Sequence, residues 1–390
     1  MFKRMTACLL AVLLCCGICA CGKKTDGDKN GASKTIKIGV LLPDGGNVGT
    51  THAILQGVRT AAEAQKLPEP VCVFNVTDVS FDESEPISAK PAESETEQTT
   101  EAEPESFTLE DGEVVVRAVP IPKQEPIKAT EALAEMLDTA CSVVVAGDAV
   151  YDELTASLAA RYPDVTFLQY AGTHTDLANL QPFTANAAEA FYLAGVTAGS
   201  EGVKAIGFTA RKGNPAEKEC INAFACGAAA YNKEAKITVR FTGVDMDLSL
   251  ENTIPQTLIE KDKCGLLAQS VYTALPLSVA ASQDKPLPCI GCGYDMQSDG
   301  GSGYLCSVVF DFGVYFGQAF TALADGTFDA AAYNGGLKDG MVTLSAVQHA
   351  SDQTLKAVQA ETQAVINGER DIFEGFKSAK NGYAPNVIIR

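Results

Sequence analysis

The chain has 390 residues, 46% of them hydrophobic, and a formal net charge of −19. That apolar content supports a sizeable core and excludes global disorder, and the length suits two domains of ordinary size. So acidic a chain lacks the clustered Lys and Arg that phosphate neutralisation needs, which excludes nucleic acid as an expected partner.

The N-terminus reads as a secretory signal. Lys3 and Arg4 precede an uncharged segment, 5–20, of 16 residues, shorter than a membrane-spanning helix requires. Ile18-Cys19-Ala20-Cys21-Gly22 closes it and resembles the lipobox of bacterial lipoproteins. The resemblance implies a signal peptide over 1–20, lipid on the Cys21 thiol, and a Gly- and Lys-rich tether over 21–34 on the extracytoplasmic face of the cell membrane. An ordinary cleaved signal or a membrane anchor is the alternative. Loss of Lys3 and Arg4 takes the net charge from −19 to −21. Eight cysteines remain beyond Cys21, in or beside apolar runs, and are expected to be mostly free, buried thiols.

Strands then alternate with helices. The run 36–42 is β-rich and ends in the turn signal Pro43-Asp44-Gly45-Gly46. The segment 52–66 carries Ile54, Leu55, Val58 and Ala62 at helical spacing, and 71–76 is a second strand. The stretch 78–113 holds thirteen acids against one base, Lys90. Over 81–105 it offers almost no large apolar residue, so it reads as a largely disordered insertion, with a strand-like piece at 113–119. Helix 127–140 and the fully apolar strand 142–146 resume the order, followed by helix 148–161 and strand 165–168. The alternation continues to 366. The fold class is therefore α/β, with two doubly wound parallel-sheet lobes.

Several segments in order carry a resemblance. They are Tyr162-Pro163-Asp164-Val165, Glu189-Ala190-Phe191-Tyr192-Leu193-Ala194-Gly195 with Ala198-Gly199, Ile206-Gly207-Phe208, Phe224-Ala225-Cys226-Gly227-Ala228, Gly293-Tyr294-Asp295, and Gly335-Gly336-Leu337-Lys338-Asp339-Gly340. Over 35–77 and 127–390 the chain resembles the basic membrane protein family, the purine-nucleoside-receptor-like substrate-binding lipoproteins of ABC transporters. The resemblance implies the type 1 periplasmic-binding-protein fold, with one lobe from 35–173 plus 303–328 and the other from 174–302 plus 329–390. Ligand would lie between the lobes, at strand C-termini. The first loop departs from the family's Ser-Phe-Asn element, with Thr50 and Thr51 at the Phe-Asn positions; Phe310-Asp311 replaces a common Lys.

Candidate ligand contacts each have a structural alternative. Asp44 and Asn47 can exchange hydrogen bonds with ligand hydroxyls, or serve the turn. Asp148 can face the cleft or cap a helix. Arg211 and Lys212 can pair with an anionic ligand or stay solvated. Asp295 matches the family's hydroxyl-binding Asp, or is a solvated loop residue. Tyr170, Tyr272 and Phe310 can stack on a flat ligand or pack internally. Cys289-Ile290-Gly291-Cys292 lacks the further ligands a zinc site needs, and it spans a strand end rather than a helix start. No cofactor, metal or catalytic constellation is expected. The function expected is capture of a small polar ligand, with a nucleoside as the family's precedent, for delivery to an ABC permease. The alternatives are a sensor of the same fold and a redox or hydrolytic enzyme.

Overall fold

The computed structural model describes residues 36–47, 49–81, 87, 106–108, 114–116 and 126–390. The expected signal, lipid site and tether, and most of the acidic insertion, lie outside the described residues. Ser106–Thr108, near the end of the insertion, pairs antiparallel with Val114–Val116, which falls in the strand-like piece expected at 113–119.

The body of the chain, from Thr35 on, is built on two sheets. The first has six parallel strands in the order Tyr333–Gly335, Leu180–Ala185, Thr166–Tyr170, Val143–Ala146, Ile38–Leu41 and Val71–Val73. The second has seven, in the order Val342–Leu344, Tyr304–Phe310, Cys289–Gly293, Leu266–Gln269, Ala205–Ala210, Lys236–Phe241 and Val387–Ile389. In this second sheet Val342–Leu344 is antiparallel to its neighbour and the other pairs are parallel.

The apolar runs explain the layering. All four residues of Val143–Ala146 are buried, with Val143 and Val145 in one core and Val144 and Ala146 in the core on the opposite face. Leu266 and Ala268 likewise face one core of the second lobe, and Leu267 the other. A strand covered on both faces reads as a continuous hydrophobic run, as these do.

The expected lobe boundaries shift in three places, the last at Tyr333–Gly335, expected in the second lobe but paired with Leu180–Ala185 in the first sheet. Leu180–Ala185 belongs to the first sheet, because Leu180 pairs with Phe167 and Phe183 stacks on Tyr315 of the first lobe at 4.4 Å. Tyr304–Phe310 belongs to the second sheet, beside Cys289–Gly293. The helix that follows, Phe312–Asp325, packs with Gly49–Ala64 in the first lobe. The chain thus passes between sheets after 185, after 310 and between 335 and 342. Both lobes use the same strand-helix period, so sequence periodicity carries no mark of these crossings.

The segment 189–199 that carries the resemblance is a packing device. Helix Ala188–Ser200 crosses Pro215–Tyr231 so closely that a methyl on Gly195 would strike the Phe224 carbonyl, and one on Gly227 the Tyr192 carbonyl. Glycine is required because backbone meets backbone. Gly195→Ala should destabilise the protein by about 3 kcal/mol, at the upper end of overpacking costs, which chemical denaturation would measure. Retained stability would show that the helices can separate without cost.

Candidate functional site

Parallel strands present their C-terminal ends on one side, and here the loops from both sheets meet there. Two cavities lie between the sheets. The first, of about 470 Å³, is lined from the first lobe by Pro43, Asp44, Gly49, Thr50, Thr51, Thr77, Asp148 and Val150. Arg211, Lys212, Asp245, Met246, Glu251, Tyr272 and Thr273 line it from the second. The other, of about 420 Å³, is more aromatic and includes Asn47, His52, Gln56, Tyr272, Tyr294, Phe310 and Phe312.

The first-lobe wall starts from the turn after Ile38–Leu41. Asp44 accepts hydrogen bonds from the Gly46 amide at 2.7 Å and the Thr51 hydroxyl at 2.8 Å. It therefore shapes the loop and lines the cavity at once. Asp148 does the same, since its Oδ1 accepts from the Val150 amide at 2.9 Å and caps the short turn Ala149–Tyr151. Burial pushes the Asp148 carboxyl up from its ordinary value, the Val150 amide opposes this, and Asp245 and Asp44 add to it. Asp44 thus serves its turn and Asp148 caps its short helix, and both also line the cavity.

On the second-lobe wall, Glu217 anchors Arg211. The Glu217 side chain is 1% exposed and accepts from the Arg211 amide at 2.8 Å, the Gly213 amide at 2.6 Å and the Ser270 hydroxyl. Arg211 Nε lies 3.5 Å from Glu217 Oε1 without a hydrogen bond of its own, and the guanidinium sits 4.7 Å above the Tyr272 ring. Burial disfavours the Arg211 charge, but Tyr272 and Glu217 more than offset this and hold it above arginine's ordinary value. Glu251 is buried, accepts from the Asp247 amide at 3.2 Å and is hydrogen-bonded to the Thr273 hydroxyl. Lys212 is paired with Asp245. Neither Glu217 nor Glu251 emerges from the sequence reading as a site residue. The signal was available: Asn214 to Glu217 has capping-box spacing, and Asp247 caps the helix that carries Glu251.

Asp44, Thr50, Thr51, Asp148, Arg211 and Tyr272 thus meet around one cavity, and Asn47, Tyr272 and Phe310 around the other. Asp295 reaches neither. It is exposed, accepts from the Tyr304 hydroxyl at 2.6 Å and the Gln297 amide at 3.2 Å, and so organises its own loop. Tyr170 packs at 5.6 Å from Phe183 and 5.9 Å from Phe312 among the first-lobe aromatics. Cys289 and Cys292 face different cores, and burial pushes both thiols up to about 12, leaving little thiolate at neutral pH. All eight cysteines among the described residues are free. Asp152, Glu153 and His174 bring three potential metal-ligating atoms within 4.8 Å of one another. Asp152 there clamps the adjacent loop through the Thr173 amide at 3.0 Å and hydroxyl at 2.6 Å.

The described residues contain no helix long and apolar enough to cross a membrane. Among solved structures, the chain is similar to a solute-binding protein of an ABC transporter system from Conexibacter woesei, with a TM-score of 0.61 at 17% identity, covering 86% of this chain and 98% of that one. It is also similar to a transcriptional activator of the comK gene from Bacillus halodurans, with a TM-score of 0.64 at 17% identity over 86% and 99% of the two chains. These likenesses establish the fold, an α/β architecture of the periplasmic-binding-protein type. In sequence, the chain is 28% identical to TsgA13, a candidate ABC transporter glucose-binding protein of Haloferax volcanii, over 62% of this chain and 60% of that protein. It is 24% identical to a purine-binding protein of Brucella abortus over 58% of this chain and 63% of that protein. The chain therefore spans about three fifths of the length of these relatives. The family described as PnrA-like ABC transporter substrate-binding proteins, Bmp, matches residues 110–374. With a cleft where its strands end and a family match over most of its length, this chain belongs to the Bmp family of substrate-binding proteins.

Proposed function

We propose that this chain is the extracytoplasmic capture component of an ABC importer, holding a neutral, hydroxyl-rich ligand of the nucleoside class between its lobes. The observation that carries this reading is the first cavity, where polar groups from both sheets converge at strand C-termini. Its lining sets four carboxylates, Asp44, Asp148, Asp245 and Glu251, against two cations, Arg211 and Lys212. That balance disfavours an anionic ligand. Arg211 can donate to ligand oxygens, and Asp44 and Asp148 can accept from ligand hydroxyls. The more aromatic second cavity suits a flat ring. The glucose- and purine-binding relatives also point to uncharged, hydrogen-bonding ligands.

In this role the protein makes and breaks no bond. Ligand holds the lobes together, a hinge motion at the crossings after 185 and 310 and between 335 and 342, and a permease receives it. Cys21 carries the lipid that keeps the protein at the membrane.

Inosine, guanosine, glucose and ribose should raise the melting temperature to different extents, while nucleotides and uronates should not. Stabilisation by the anions alone would overturn the assignment. Asp148→Asn should weaken binding of the best ligand at least tenfold, the scale of a lost hydrogen bond to a charged group, in titration calorimetry. Asp295→Asn, outside both cavities, should change it less than about twofold, an effect well below that scale.

The pH dependence follows from Asp148. Its carboxyl is raised by burial, so it gains its proton at a higher pH than an ordinary carboxylate and stops accepting from ligand. Affinity should therefore begin to fall, as pH is lowered, before ordinary aspartates titrate, and Asp148→Asn should flatten that decline. For the anchor, Cys21→Ser should move the protein from the membrane fraction to the soluble fraction; unchanged fractionation would remove Cys21 as the lipid site.

A further inference from the structure

The two cavities share only Gly49 and Tyr272 in their linings. Tyr272 leaves the loop after Leu266–Gln269 and crosses to the first lobe, where its hydroxyl accepts a hydrogen bond from Thr50 Oγ1 at 3.3 Å. One ring face carries the Arg211 guanidinium at 4.7 Å, and the Phe310 ring meets it edge-on at 5.8 Å. Gly293, at φ +110°, admits the ring: a Cβ there would come within 2.5 Å of Tyr272 Cδ1. On the other edge, a Cβ on Gly49 would lie 3.6 Å from Tyr272 Cδ2, in ordinary contact. The ring is therefore a wall, seated between one glycine of each lobe, that separates a polar compartment from an aromatic one.

We infer that Tyr272 is a movable partition that sets which ligands the cleft prefers. The inference rests on the ligand class proposed above. With Thr50 bonded to Tyr272, the cleft offers two separate single-ring compartments. A ligand joining a hydroxylated ring to a flat base must displace the Tyr272 ring to use both. A free sugar or a free base need not. The Thr50–Tyr272 contact is the only hydrogen bond found for the Tyr272 hydroxyl among the described residues, and it joins opposite lobes. Its loss frees the partition while leaving the ring as a packing surface for Arg211. The partition thus works against two-part ligands in proportion to the strength of that contact, which for a neutral hydrogen bond is about 1 kcal/mol, or about fivefold in affinity.

The test compares wild type, Tyr272→Phe, Thr50→Val and the double variant. Titration calorimetry with inosine and with ribose gives the ratio of the two affinities, and hydrogen exchange of the unliganded proteins gives the protection of segments 49–57 and 270–275. Each single variant should raise the inosine-to-ribose ratio about fivefold. The double variant should add little, because both changes remove one contact. Both segments should exchange faster than in wild type. An unchanged or lowered ratio overturns the partition, and so does additive behaviour of the two changes. If neither probe binds any of the four proteins, the ligand class is wrong. Hydrogen exchange then decides the partition alone: coupled loss of protection in both segments supports it, and unchanged protection overturns it.

Discussion

Parallel pairing governs this molecule. A strand that runs parallel to its neighbour needs a long crossover, so every strand but the antiparallel Val342–Leu344 ends on the same side of its sheet, and the loops that follow those strands leave the core there. Helices then cover both sheet faces, which forces the strands to be apolar along their whole length. Polar side chains are pushed to the strand ends. The cleft is the result: Asp44, Asp148, Arg211 and Tyr272 stand where their strands stop.

The buried acids show how such a site is held rigid. Glu217 takes up two backbone amides and a hydroxyl, which fixes the loop that carries Arg211 and leaves the guanidinium Nε without a hydrogen bond. Glu251 fixes the Thr273 end of the neighbouring loop in the same way. Glu217 works behind the surface, Glu251 both braces its loop and lines the cavity, and Arg211 works in front. The cleft's charge pattern is thus set by residues whose first duty is to satisfy loop amides that would otherwise be buried unpaired.

Much of the fold was legible because fully buried strands and amphipathic helices leave strong periodic signals. Strand 142–146 and helix 52–66 correspond to Val143–Ala146 and Gly49–Ala64. The lobe to which a strand belongs was less legible. Nothing in Leu180–Ala185 says that it pairs with Thr166–Tyr170 rather than opening the second sheet; the contact is made by Phe183 with rings some 130 residues away. Site residues divide similarly. Those just after a strand, such as Asp44 and Asp148, could be found from position alone. Asp295 had the same position and a family motif in its favour, yet the Tyr304 hydroxyl draws it away from the cleft. Glu217 and Glu251 were hidden because each sits inside a helix, where an acid ordinarily reads as surface.

The three passages between lobes also constrain how the protein is made. The first lobe begins at Ile38 but receives its helix Phe312–Asp325 and its edge strand Tyr333–Gly335 only near the end of the chain. Phe183 and Tyr170 lack their ring contacts with Phe312, Tyr315 and Phe316 until those residues are synthesised. A chain built or threaded from its N-terminus therefore carries an unfinished first core for most of its length, and contacts of such long sequence separation form slowly. Closure of the first core therefore waits on Phe312–Asp325, whatever has folded before it.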